Sequence, residues 1–176
     1  VSERIYKSKN RRYGFVSTGN FNESTAKIYT DYTLFTSNQK ILKEVNKVFN
    51  FLEVSYKIKK YKHLIVSPHY TASTISKLID NEIENHKKGL PSGISLKLNN
   101  ITNYPLVDKL YEASQAGVKI KMIVRGICCL IPGVKGLSEN ITVKSVVDKF
   151  LEHPRVFIYE NAGDKKIYLS SADFMT

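Results

Sequence analysis

The sequence predicts an α/β fold, and three observations carry that reading. Apolar spacing switches repeatedly between the two-residue period of strands and the three-to-four-residue period of helices. The switches follow a strand, helix, strand, helix rhythm, which builds a sheet with helices packed on it. The 176 residues are 42% hydrophobic and 24% charged, enough apolar side chain for a sizeable core and too much for a disordered chain.

In chain order, residues 12–17 are short and β-prone, and Asn22 or Ser24 can cap a short helix reaching Ile28. Residues 32–36 read as a strand. Ile41, Leu42, Val45, Val48, Phe49 and Leu52 then fall on one helical face. Periodicity stops at the lysine-dense stretch of Lys57, Lys59, Lys60 and Lys62 and restarts after it, so a domain boundary is expected between residues 62 and 63. Residues 64–66 follow as a short apolar strand. Ile75, Leu78, Ile79 and Ile83 make a helix stripe closed by Lys87, Lys88 and Gly89. Ile94, Leu96 and Leu98 alternate with Ser95, Lys97 and Asn99, a strand with one polar face. Pro105 opens the next helix and Gly117 closes it. Residues 118–124 are a strand, a loop with Pro132, Gly133 and Gly136 follows, and residues 141–147 are strand-like. A short helix over 148–152 leads to strands at 156–159 and 166–170.

Charge narrows the partner. The net charge is +11, and residues 1–62 hold 13 basic against 5 acidic side chains. Such an excess points to an anion: nucleic acid, a membrane surface or a phosphate-rich ligand. The longest apolar run, at 127–131, is far short of the ~20 residues a spanning helix needs. The N-terminus has no signal-peptide core. The two cysteines, Cys128 and Cys129, are adjacent, which excludes a disulfide framework or a CxxC metal site. They read as small buried hydrophobes in a reducing, cytoplasmic setting. The absence of an initiator Met and the stop just after Ala172 and Asp173 suggest a piece of something longer.

An internal repeat sharpens the chemistry. Residues 12–21 (RYGFVSTGNF) align with 165–174 (KKIYLSSADF), pairing Ser17 with Ser170, Phe21 with Phe174, Thr18 with Ser171 and Asn20 with Asp173. A strand ending in small and hydroxyl residues can present N–H and O–H groups to a phosphate. Upstream of the second copy, residues 153–160 (HPRVFIYE) resemble the HxK(x4)D element of the phospholipase D-like superfamily, with Arg155 for Lys and Glu160 for Asp. An imidazole such as that of His153 can act near neutral pH, and Arg155 two residues on shares its strand face and can neutralise phosphate oxygens. Counting the same interval back from Thr18 reaches the position just before Val1, where the first half-site's histidine is expected.

Further strings are more specific. Residues 17–31 (STGNFNESTAKIYTD), 97–100 (KLNN), 116–133 (through IVRGICCLIPG), 138–141 (SENI), 150–155 (FLEHPR), 160–164 (ENAGD) and 168–173 (YLSSAD) resemble type-1 polyphosphate kinases along essentially the whole chain. The resemblance implies a phospholipase D-like mixed sheet flanked by helices, as one near-complete domain plus the tail of a preceding related domain. It also implies reversible transfer of the terminal phosphate of ATP onto a histidine and then onto inorganic polyphosphate. Tyr29, Arg125 and His153 match positions that bind the nucleotide, and the phosphorylated histidine and the arginines of the Mg2+ site lie outside these residues. Asp31, Lys97, Asn99, Asn20 and Asp173 complete the candidate nucleotide-binding set, with His153 and Arg155 as the catalytic pair. Polyphosphate and ATP or ADP are the implied partners, not nucleic acid. A homo-oligomer is implied too, and peripheral membrane association stays open. Ala162 stands where the family has the first glycine of its ENGGD string.

Plainer readings stand beside these. His86 shares the helix stripe and reads as structural; His63 and His69 read as surface residues. Lys97 and Asn99 point away from the apolar side of their strand, toward either solvent or phosphate. The lysine run is a solvated linker or the edge of a polyphosphate channel. A phosphodiesterase of the same fold and a non-catalytic polyanion-binding module remain the rival functions. The tyrosine-threonine-aspartate and arginine-glycine-isoleucine-cysteine strings favour the kinase.

Overall fold

The computed structural model describes residues 6–8, 11–54, 60–67 and 70–175. Chain pairing starts with β1 (Tyr6–Ser8) antiparallel to β2 (Arg11–Ser17). The helix expected next is a single turn, α1 (Glu23–Ala26), shorter than the reach to Ile28. Its cap is Asn22, whose side chain accepts from the Thr25 N–H at 3.1 Å. Two short strands follow, β3 (Tyr29–Thr30) and β4 (Thr33–Thr36), and β4 pairs antiparallel with β2.

Helix α2 (Gln39–Glu53) is capped by Asn38, which accepts from Lys40 N and Ile41 N. It buries Leu42 and Val45 of the expected stripe, while Leu52 in its last turn is exposed. The stretch at 64–66 is not a strand. The buried carboxylate of Glu44 on α2 instead accepts the backbone N–H groups of Lys62, His63 and Leu64 at 2.8, 2.8 and 2.9 Å. A side chain thus does for these donors what a neighbouring strand would have done. His63 is exposed, as expected. His69, Lys57 and Lys59 lie outside the described residues.

The second part of the chain builds one sheet. Helix α3 (Thr71–Lys87) ends at Gly89, whose positive φ of 69° lets its N–H and that of Leu90 close back on His86 O and Asn85 O. Strand β5 (Ile94–Leu98), helix α4 (Tyr104–Gln115) and strand β6 (Ile120–Val124) come next. Asn103 caps α4 by accepting from Leu106 N, and Pro105 sits in the first turn, where its missing N–H costs nothing. Strand β7 (Ile141–Lys144) is parallel to β6, and β6 is parallel to β5. Strands β6 and β7 are shorter than expected, since Val118 precedes the pairing and residues 145–147 follow it.

The expected helix at 148–152 does not form. Residues 145–150 run exposed, Val147 at 91%, so there is no apolar face to bury. The chain instead makes β8 (Leu151–Glu152), which pairs in parallel with β3 of the first part. Strand β9 (Arg155–Tyr159) and strand β10 (Lys166–Ser170) complete a mixed sheet of order β10-β9-β5-β6-β7, with β9 antiparallel to both neighbours.

Alternation sets the core. Ile94, Leu96, Leu98, Ile120, Met122, Val124, Phe157 and Tyr159 point to one sheet face, where α3 (Ile75, Ile79) and α4 (Leu106, Val107, Leu110, Ala113) cover them. His86 is exposed, contrary to its place on the α3 stripe; its Nδ1 lies 3.0 Å from Ser92 Oγ. Among the described residues no helix is long and apolar enough to cross a membrane.

Candidate functional site

The sheet brings the C-terminal ends of β5 and β6, the start of β9 and the end of β10 to one edge. The short β3–β8 pair holds Tyr29 and Asp31 of the first part against that edge. Six of the nine candidate residues meet there in one network: Tyr29, Asp31, Asn99, His153, Arg155 and Asp173.

His153 sits at its centre, half-buried. Its Nδ1 lies 2.8 Å from Asp31 Oδ1, and its Nε2 lies 3.0 Å from Arg155 Nη1. A guanidinium can only donate, so Nε2 must be the accepting, unprotonated nitrogen, and Nδ1 carries the proton it donates to Asp31. The imidazole is therefore neutral in this arrangement, with its tautomer fixed from both sides. The Tyr29 ring stands edge-on to it at a centroid distance of 5.0 Å.

Arg155 is buried and held on every side. Its Nε and Nη2 donate to the two oxygens of Asp173 at 3.1 and 3.0 Å, a fork-to-fork pair. Its Nη1 also donates to His153 O at 3.2 Å. Asp173 accepts further from the backbone N–H of Asn99 at 2.8 Å and from the Asn100 amide at 3.5 Å. Burial alone would raise the Asp173 carboxyl, but the Arg155 bonds and the Asn99 N–H outweigh it and hold the group below the ordinary carboxylate range.

Asn99 is 2% exposed, so solvent does not surround it. Strand β5 has ended at Leu98, and the alternation that would turn Asn99 outward ends with it. Both ends of its carboxamide are satisfied when the oxygen accepts from Arg155 Nε and Nη2 at 3.2 and 2.7 Å and the nitrogen donates to Glu152 O at 3.2 Å. Lys97, half-buried, is bound to Glu152 at 3.1 Å and to Pro154 O at 3.0 Å. It braces β8 against β5.

Arg125 follows β6 at the same edge, where its N–H donates to Leu98 O. Among the described residues its side chain has no hydrogen bond or ion pair, which leaves a cation unspent beside the network. The loop beyond it exposes Ile127 and Cys128, so the cysteine pair is not buried as its apolar neighbours suggested. Asn100 Oδ1 takes the Ile127 N–H at 2.9 Å and lies where a Cβ on Gly126 would intrude, at 2.6 Å, holding the loop close to the strand end. Asn20, the repeat partner of Asp173, is exposed and stands apart from the network.

Two participants lie outside the candidate site set drawn from the sequence. Thr18 Oγ1 donates to Asp31 Oδ1 at 2.9 Å, and Asn100 contacts Asp173. The repeat did single out Thr18, by pairing it with Ser171. As for Mg2+, no group of three or more His, Cys, Asp or Glu side chains among the described residues could hold a metal ion. Asp31 and Asp173 are already committed to His153 and Arg155. These residues do not fit a magnesium site by themselves.

Comparison with known proteins agrees with this architecture. The family described as "Polyphosphate kinase C-terminal domain 2" matches residues 64–176, and "Polyphosphate kinase C-terminal domain 1" matches residues 1–58. The chain is 53% identical over 165 residues to a polyphosphate kinase of Escherichia coli, covering 94% of this chain and 24% of that protein. It is 50% identical over 164 residues to the polyphosphate kinase of Vibrio cholerae, covering 93% of this chain and 23% of that protein. The crystal structure of polyphosphate kinase from Porphyromonas gingivalis superimposes with a TM-score of 0.89 at 40% identity, over 98% of this chain and 27% of that one. The chain spans about a quarter of the length of the relatives it matches. With the mixed sheet, the strand-end network and both family matches in agreement, this chain belongs to the polyphosphate kinase family.

Proposed function

We propose that these residues form part of a kinase that moves the terminal phosphate of ATP, reversibly, to inorganic polyphosphate, by way of a phosphohistidine that the internal repeat places just ahead of residue 1. The observation that supports this most is the linked row Asp31–His153–Arg155–Asp173 at the strand ends, with Arg125 unspent beside it. Ligands of open α/β sheets bind at such strand ends.

In this reading the nucleotide phosphates lie against His153, Tyr29 and Arg125. Proton uptake at Nε2 of His153 gives an imidazolium that Asp31 stabilises and that can donate to a phosphate oxygen. Arg155, released from Nε2, keeps its two bonds to Asp173 and stays in place. Lys97 and Asn99 act as supports, through Glu152 and Arg155. Polyphosphate and ATP or ADP are the partners, in a cytoplasmic homo-oligomer. The binding of so highly charged a chain should weaken steeply with salt, by the counterion release known for nucleic acids.

The test uses a full-length polyphosphate kinase carrying these residues and γ-labelled ATP. Acid-labile, base-stable label on a histidine followed by chain growth supports the reading; no label, or cleavage of a phosphodiester instead, overturns it. His153→Ala should lower the rate by about 10²–10⁴-fold while leaving thermal unfolding unchanged. Unfolding of that variant would make His153 a structural residue.

A further inference from the structure

The proposed function leaves open what holds Asp31 in the one orientation that meets His153. Its carboxylate lies between the two parts of the chain, half-buried, and its Oδ1 accepts from His153 Nδ1. The same oxygen accepts from Thr18 Oγ1 at 2.9 Å. Thr18 is 4% exposed and is itself fixed: its Oγ1 accepts from the Tyr32 N–H at 3.0 Å, and its backbone N–H donates to Tyr32 O at 3.0 Å. The hydroxyl proton therefore has one direction left, toward Asp31.

The next residue makes the room. A Cβ placed on Gly19 would lie 1.9 Å from Asp31 Oδ2 and 2.2 Å from its Cγ. The carboxylate occupies the volume that any side chain at this position would take. Gly19 does not need its conformational freedom here, because its φ lies outside the left-handed region. It is needed for its lack of a side chain.

We propose that Thr18 and Gly19 are positioning residues for the phosphoryl-transfer site: Thr18 clamps Oδ1 of Asp31 by a hydrogen bond, Gly19 leaves the slot for Oδ2, and the carboxylate so held fixes the Nδ1–H tautomer of His153. Neither residue touches His153. Their effect passes through Asp31 across the joint between the two parts of the chain. The proposal rests on the reading of His153 as a participant in phosphoryl transfer.

Gly19→Ala is the informative variant. The atoms its methyl group would displace belong to the free end of one side chain and not to the backbone, so the fold can absorb the change while the carboxylate cannot stay. Thr18→Val removes the hydroxyl, and Thr18→Ser restores it. In a full-length polyphosphate kinase carrying these residues, Gly19→Ala and Thr18→Val should lower kcat about 10–100-fold, the range seen when a group that orients a functional histidine is lost. KM for ATP should change far less, and Thr18→Ser should recover most of the rate. Nitrogen-15 spectra of the histidine side chains should show His153 as the Nδ1–H tautomer in the parent and Thr18→Ser forms, and as a mixture in Gly19→Ala and Thr18→Val.

An unchanged His153 tautomer in both disruptive variants overturns the positioning proposal, whatever the rates. A shifted tautomer with an unchanged rate leaves the clamp in place and overturns the catalytic reading of His153 on which it rests. Failure of Thr18→Ser to restore either readout also counts against the hydrogen bond as the cause.

Discussion

Nδ1 of His153 lies 2.8 Å from Oδ1 of Asp31, a contact between residues 122 positions apart in the chain. Since Arg155 occupies Nε2 as a donor, this carboxylate is the group that receives the only imidazole proton. Asp31→Asn keeps the size but removes the charge that would support an imidazolium. In a full-length polyphosphate kinase carrying these residues, it should lower kcat by about 10²–10⁴-fold, with melting temperature little changed. Steady-state rates and a thermal melt on the same preparation check this.

Asp173 and Arg155 form a buried pair, with Asp173 also tied to the backbone of Asn99. Asp173→Ala would leave the guanidinium buried without its counter-charge. The expected loss is about 3–5 kcal/mol of stability, measured by denaturant unfolding.

The same carboxylate sets a pH dependence. Its folded pKa is lowered, so the stability it contributes is present above the pKa of the unfolded chain and is lost as pH falls through the folded value, below the ordinary carboxylate range. Glu44 behaves alike: burial raises its carboxyl, but the N–H groups of Lys62, His63 and Leu64 outweigh that and leave it lowered. The stability gap between parent and Asp173→Asn should therefore narrow with acid, in unfolding curves taken at successive pH values. A constant gap would mean that Asp173 is not charged in the folded state.

Glu44→Ala would leave three backbone donors in the segment between α2 and α3 without their acceptor. Partly buried donors left unmet cost about 1–3 kcal/mol. Hydrogen exchange at Lys62, His63 and Leu64 should accelerate well before that of the α3 core around Ile75 and Ile79.

Ala162 adopts φ 57° and ψ 28°, a left-handed conformation that costs an L-residue about 1–2 kcal/mol. Glycine at this position avoids that cost but loses about 0.4–1 kcal/mol through the freer unfolded chain. Ala162→Gly should thus stabilise the protein by roughly 1 kcal/mol, visible as a higher denaturant midpoint at unchanged slope.

The sequence by itself determined what depends on near neighbours. The alternation of Ile94, Leu96 and Leu98 placed the central strand, because side-chain direction in a strand follows from backbone geometry alone. Pro105 and Gly117 marked the ends of α4 by local backbone chemistry confined to a few residues, and the structure adds Asn103 as its cap. The motif strings named His153, Arg155, Asp31 and Asp173 as candidates one at a time. Only the tertiary structure decided how these meet. Residues 148–152 look locally able to form a helix, yet pairing with β3 makes part of them a strand, since hydrogen-bonding partners far away in sequence outweigh a weak local preference. Asn99, by strand period an outward residue, is buried because Arg155 and Asp173 close over the strand end. The direction of the His153 proton depends on Asp31 on one side and Arg155 on the other, and no local pattern encodes a contact that exists only once distant segments have packed.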